Sequence, residues 1–151
     1  MKQHFFTALV LMAAASTEAQ NKFSKNELSV NAFRNPSIGL EYRYHQVSVH
    51  AGYYTTAFKA GEYTNFLKTG VTYWFAPVDN KEIPSSFYAG ASYMRGINRD
   101  YKNKNAVAAE AGFRWMLWKG LNLRIGAIAV TTKDKGIKVN PTPGISYSFS
   151  F

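Results

Sequence analysis

The chain contains no cysteine. That absence excludes a disulfide framework, a thiolate metal site, a cysteine nucleophile and a lipid-modified N-terminal cysteine. Charge is scarce as well: 18% of residues are Asp, Glu, Lys or Arg, against roughly 25% in ordinary soluble domains. Acidic residues are the scarcer sign, nine against 18 Lys plus Arg, so the formal charge is +9. No apolar run reaches the about 20 residues that a transmembrane helix needs. There is no metal-ligand cluster, phosphate-cradling loop or dinucleotide motif, so neither a metal nor a cofactor is expected. The 151 residues allow one domain, and no linker or sequence repeat divides them.

Aromatic residues are abundant: three Trp, ten Tyr and eleven Phe, 16% of the chain. This content is too high for a disordered chain. A basic, aromatic-rich composition invites a nucleic-acid reading, but the order of the residues points elsewhere. Lys2 precedes an apolar run from Phe5 to Ala15, and small residues follow up to Thr17, Glu18 and Ala19. These are the parts of a secretory signal peptide. The expected organisation is a signal peptide over 1–19, an N-terminal periplasmic segment over 20–26 and one domain over 27–151. Export by the Sec route removes the protein from nucleic acid.

Beyond about residue 27 the chain alternates with period two, and no helical period persists. In the last stretch Ile145, Tyr147, Phe149 and Phe151 oppose three serines. Successive strand side chains point to opposite faces, so this is a strand with one apolar and one polar surface. Seven earlier segments follow the same rule, beginning near Leu28, Ile38, Val47, Leu67, Phe87, Val107 and Leu121, with turn signals between them. The fold class is therefore all-β, an eight-stranded antiparallel up-and-down barrel.

The faces separate a soluble barrel from a membrane barrel. A soluble barrel buries the apolar face, whereas a transmembrane barrel turns it to lipid and keeps a polar interior. Here one face carries Glu41, Arg43, His50, Lys68, Glu110, Arg114 and Arg124, interleaved with Gly39, Gly52, Gly70, Gly90, Gly112 and Gly126; the other is almost uncharged. With both termini in the periplasm, Tyr42, Tyr44, Tyr73, Phe75, Phe87, Phe113, Trp115, Phe149 and Phe151 fall at the periplasmic ends of the outward face. Amphipathic rings favour the bilayer interface, and this is the expected lower girdle. Tyr53 and Tyr93 form a thinner extracellular one.

On these residues the chain resembles small outer-membrane barrels of the OmpA/OmpX type. In that class, a terminal outward Phe with alternate aromatics before it is associated with recognition by the barrel-assembly machinery; Tyr147, Phe149 and Phe151 match that pattern. A fainter resemblance, carried by Pro143, Gly144, Ile145 and the closing Phe-Ser-Phe, is to TraO proteins of conjugative transposons.

The expected interior is a charge network filling the barrel, not an open pore, because eight strands leave room for little but side chains. Glu41 is grouped with Arg43, Arg114, Arg124 and His50 in a lower cluster, and Glu110 with Lys68 in an upper pair. Four bases against two carboxylates imply water or an anion inside. The extracellular loops hold Arg34, Lys59, Arg95, Arg99, Lys102, Lys104, Lys133, Lys135 and Lys138 against Glu62, Asp100 and Asp134, which suits lipopolysaccharide phosphates.

The functional expectation is a structural, adhesive or envelope-interaction barrel in the outer membrane, not an enzyme, with lipid, lipopolysaccharide and the assembly machinery as partners and no protein partner named. Two alternatives stand beside it. One is an accessory component of a conjugative transfer apparatus. The other is a lipid A-modifying enzyme built on Ser48, His50 and Glu41.

Overall fold

The computed structural model describes residues 23–33, 36–133 and 136–151, so the expected signal peptide lies outside the described residues. Nine strands follow one another: β1 (Asn26–Ala32), β2 (Ile38–Tyr44), β3 (Val47–Lys59), β4 (Glu62–Phe75), β5 (Ser86–Gly96), β6 (Asn105–Trp118), β7 (Leu121–Thr132), β8 (Gly136–Pro141) and β9 (Gly144–Ser150). All pairings are antiparallel. Since β1 pairs with β9, and β7 pairs with both β9 and β6, the sheet returns on itself as a closed, barrel-like ring.

Eight positions in that ring are filled by nine strands. β8 lies along the Ala127 to Thr132 part of β7, and β9 along the Leu121 to Arg124 part. They are two halves of one position, broken around Thr142 and Pro143. Proline lacks the N–H a ladder needs, and the Thr142 N–H turns to Gly126 O at 2.9 Å. The expectation of a loop around Lys138 is thereby corrected: Lys138 belongs to β8 and faces Val130. Short length and the prolines at and just past its end, Pro141 and Pro143, mask the strand, although Ile137 and Val139 alternate with Lys138 and Asn140.

Strand registers fix the tilt. Asn31 faces Gly39, and the line runs on through Gly52, Lys68, Met94 and Ala106 to Thr132. On its other side Asn31 faces Ser146, which faces Asn122. Thr132 and Asn122 are ten residues apart on β7, so the ring closes with that stagger and its strands are steeply inclined to its axis.

One rim, the near rim, carries both described chain ends, the tight turns at His45–Gln46 and Lys119–Gly120, and the connection 76–85. The Lys119 and Gly120 φ values of 38° and 93° give the twist that two-residue hairpins favour. The β3–β4 and β5–β6 connections lie on the far rim, and β8 and β9 join within the wall. Burial alternates along strands such as β1, β3 and β6, whereas β8 is exposed through most of its length. Leu28, Leu40, Val49, Val71, Val107 and Ile125 point outward and are exposed, whereas Glu27, Ser29, Glu41, Arg43, Lys68, Arg114 and Arg124 point inward and are buried. Tyr88 shows how tightly the inside is filled. A Cβ at Gly112 or Gly126 would lie 2.7 or 2.9 Å from its hydroxyl oxygen, so the facing glycines make room for the ring.

The interior has two layers. Charged groups occupy the near half and middle. The far half is apolar, built from Tyr54, Phe66, Met94, Tyr101, Ala106, Ala108, Ile128 and Val130 with Phe58 against them. The ring also narrows there. β1 and β2 end at the Ala32–Ile38 pair, while β3 and β4 continue to the Lys59–Glu62 pair. Among the described residues, no strand pairs with the β3 edge beyond Tyr53, nor with the outer edge of β8. A seam thus separates β3 from β8. Asn140 bridges it, its Nδ2 donating to Thr56 Oγ1 at 2.5 Å and Ala57 O at 3.3 Å, and beside it Ser37, just before β2, meets the β3 edge by accepting from Thr55 N at 2.8 Å.

Candidate functional site

Glu27 is the centre of the near-half network. Its carboxylate accepts from Arg43 Nε at 2.9 Å, from Arg43 Nη2, and from Arg114 Nη1 at 2.6 Å. Glu41 accepts from Arg124 Nη1 at 2.6 Å and the Ser48 hydroxyl at 2.5 Å. Lys68 Nζ donates to Glu110 at 2.7 Å. All of these side chains are buried. Buried charge is tolerated only with close partners, and the guanidinium fork lets Arg43 meet a carboxylate through two nitrogens.

This arrangement corrects the expected lower cluster. Arg43 and Arg114 serve Glu27, not Glu41, and among the described residues His50 forms no ion pair despite facing Glu41 across β2 and β3. Its ring nitrogens meet Ser92 Oγ at 3.1 Å and Thr72 Oγ1 at 3.3 Å. Among the described residues the interior carries three carboxylates against four cations, an excess of +1 rather than +2. Glu27 falls one residue before the alternation that starts at Leu28, so the sequence pattern does not include it. Carrying the Ser29 and Asn31 alternation one step back would have placed it inside.

Trp74 binds the network's two halves together. Its indole N–H donates to Ser48 Oγ at 2.9 Å. The guanidinium carbons of Arg114 and Arg124 lie 4.2 and 4.9 Å from its ring centre, within cation–π range. Ser48 therefore serves Glu41 and Trp74, and the Ser48, His50 and Glu41 set considered for acyl chemistry is not assembled as a relay. Among the described residues, no group of three or more His, Asp or Glu side chains is placed to hold a metal ion.

The near mouth is covered. Phe23 is buried with Trp74 and Tyr88, and the Arg43 guanidinium lies 4.8 Å from its ring centre. The connection 76–85 crosses the same mouth: Pro84 O accepts from Arg114 Nη2 at 3.2 Å, Ser85 Oγ from Met116 N at 3.0 Å, and Glu82 from the Ser150 hydroxyl. Asp79 pins the connection by accepting from the amides of Lys81 at 3.3 Å and Ser85 at 3.1 Å. Partial burial raises its carboxyl pKa, but the Ser85 hydroxyl and amide, then the Lys81 amide and ammonium, outweigh this and hold it below the ordinary aspartate value.

At the far rim Arg95, Arg99, Lys102 and Lys133 are exposed and Lys104 is half-buried, while Arg34 and Lys135 lie outside the described residues. Arg95 donates to Asn105 Oδ1 at 2.8 Å and Arg99 to Tyr63 O at 3.0 Å. A cavity of about 260 Å³ opens between Phe58, Lys59, Glu62, Arg99, Tyr101 and Lys138, the last of these supplied by β8. On the outside of β9, Tyr147, Phe149 and Phe151 are exposed, with Tyr147 and Phe149 ring centres 4.8 Å apart.

Comparison of the chain with family models, curated proteins and solved structures finds no match.

Proposed function

We propose that the ring is a small integral outer-membrane β-barrel with a structural, adhesive or envelope-interaction role. The observation that carries this reading is the inverted polarity of the fold. Paired charges fill the inside, while rows of Leu, Val, Ile and aromatic side chains stand exposed on the outside. In water such a surface would drive association; in lipid it is the favourable face. Closure through β1, β9 and β7 also suits lipid, because outside the β3–β8 seam it pairs the edges that hydrocarbon penalises. A stagger of ten residues on eight positions corresponds to a tilt of about 40–45°, close to that of outer-membrane strands.

The near-rim aromatics Tyr42, Tyr44, Tyr73, Phe87, Trp115, Phe149 and Phe151 supply an interfacial belt. This orientation puts the near rim in the periplasm and the basic far rim outside, against lipopolysaccharide phosphates. The filled interior and covered near mouth favour a closed barrel over a pore. The C-terminal Tyr147, Phe149 and Phe151 would present the chain to the assembly machinery.

Cell fractionation with heat-modifiable gel migration tests the reading. The expected result is recovery in the outer membrane and a band that shifts on boiling. Recovery in the soluble fraction with no shift would overturn it.

A further inference from the structure

We propose that the far-rim cavity is a binding site for the phosphorylated sugar head of an outer-leaflet glycolipid, with an acyl chain lying along the β3–β8 seam. The inference rests on the membrane reading above and adds a defined site to it.

The cavity unites three chemistries that one such ligand needs. Lys59, Arg99 and Lys138 supply cations from β3, the β5–β6 connection and β8. Lys138 lies opposite Val130 on the inward side of β8 and is exposed at the mouth of the ring, where a ligand can reach its ammonium. Guanidinium and ammonium groups on separate elements suit phosphate oxygens. Glu62 and Asp100 lie on the same lining and can accept from sugar hydroxyls. Phe58 and Tyr101, ring centres 5.2 Å apart, contribute apolar surface for a sugar face. At about 260 Å³ the cavity is below the usual size for a whole ligand, which fits a head group whose remainder lies elsewhere.

The seam provides that elsewhere. It descends from the cavity between Phe58 and Lys59 on one side and Lys138 on the other. Outward beside it stand Ile137 and Val139, 71% and 65% exposed. Lipid packed there shields a stretch where ladder hydrogen bonds give way to the side-chain hydrogen bonds of Asn140 and Ser37, which matters because exposed backbone polar groups are costly in hydrocarbon.

The test uses the protein purified from membranes in neutral detergent, with native mass spectrometry as readout. Bisphosphorylated lipid A, enzymatically dephosphorylated lipid A and phosphatidylglycerol are titrated separately. The expected result is one retained bisphosphorylated lipid A, with binding about tenfold or more weaker in a Lys59→Gln, Arg99→Gln, Lys138→Gln variant. A control variant, Lys102→Gln, Lys104→Gln, Lys133→Gln, removes the same charge from the same rim and leaves binding within about threefold. Equal loss in both variants, or equal retention of dephosphorylated lipid A or phosphatidylglycerol, would overturn the site. If the triple cavity variant fails the boiling shift, Lys138→Gln alone carries the comparison. A wild-type chain recovered in the soluble fraction would overturn the membrane reading and the site together, whereas an inserted chain with no preference for phosphorylated lipid overturns the site alone.

Discussion

Glu27 and Arg114 lie 87 residues apart in the chain, yet their side chains meet at 2.6 Å inside the ring, and the same carboxylate also holds Arg43. One acidic group thus compensates two buried guanidiniums. Removing one partner of a buried pair leaves the other uncompensated, at about 3–5 kcal/mol. Glu27→Gln is therefore expected to lower stability by at least that amount, measured as urea unfolding of the inserted protein. A loss under about 1 kcal/mol would mean that the arginines are solvated.

Lys68 and Glu110 allow a cleaner comparison because each is the other's ion-pair partner. Glu110→Leu alone should cost about 3–5 kcal/mol, and Lys68→Met with Glu110→Leu should restore most of it, since apolar replacement of a whole buried pair is often neutral or better. A double variant no better than the single would show that the pair does more than neutralise itself.

Outward positions separate a lipid-facing wall from a water-facing one. Val71→Arg on the outside of β4 should destabilise the protein in vesicles by about 2–4 kcal/mol, and Tyr44→Arg at the near rim by about 0–1 kcal/mol. On a soluble surface both changes would stay within about 0.5 kcal/mol. Equal effects at the two heights would contradict the membrane orientation.

Asp79 gives the near rim a pH dependence. Its folded pKa is depressed, so its contribution is present above the ordinary aspartate value near about 4 and is lost as pH falls through the lower folded value. Proteolytic nicking within 76–85 should rise as the pH is lowered into that range, using an acid-active protease. Asp79→Asn should show raised nicking already at neutral pH and little further pH response. A wild-type rate independent of pH would remove Asp79 from the role.

The C-terminal Phe151 is exposed and outside the last ladder. Phe151→Ser is expected to reduce the outer-membrane fraction in cells while leaving refolding into detergent unchanged. Loss of both would make it a packing residue instead.

Much of this architecture is legible in period-two alternation, because a strand's two faces meet different surroundings and residues such as Lys68 and Glu110 must then face inward. What alternation does not reveal is which inward groups meet. Arg43 and Glu41 are near in sequence, but the guanidinium instead takes Glu27, reachable only once β1 and β2 are set side by side in register. β8 is hard to read because six residues that end in Pro141, with Pro143 close behind, carry little periodic signal. The cover formed by 76–85 was illegible for another reason: Pro84 and Ser85 act through backbone and hydroxyl groups at a mouth that exists only after the ring has closed.

The ladder between β1 and β9, in which Leu28 faces Phe149 and Ala32 faces Ile145, joins the two ends of the domain and has a consequence in time. The entropic cost of closing so long a loop grows only slowly with its length, but contacts so distant in sequence form late and slowly. Until the seven residues of β9 arrive, β1 has one bare edge and so does the lower part of β7. A chain shortened by those residues would be an open, edge-exposed sheet rather than a slightly weaker version of the complete one. Seven residues thus decide whether the other strands become a finished wall.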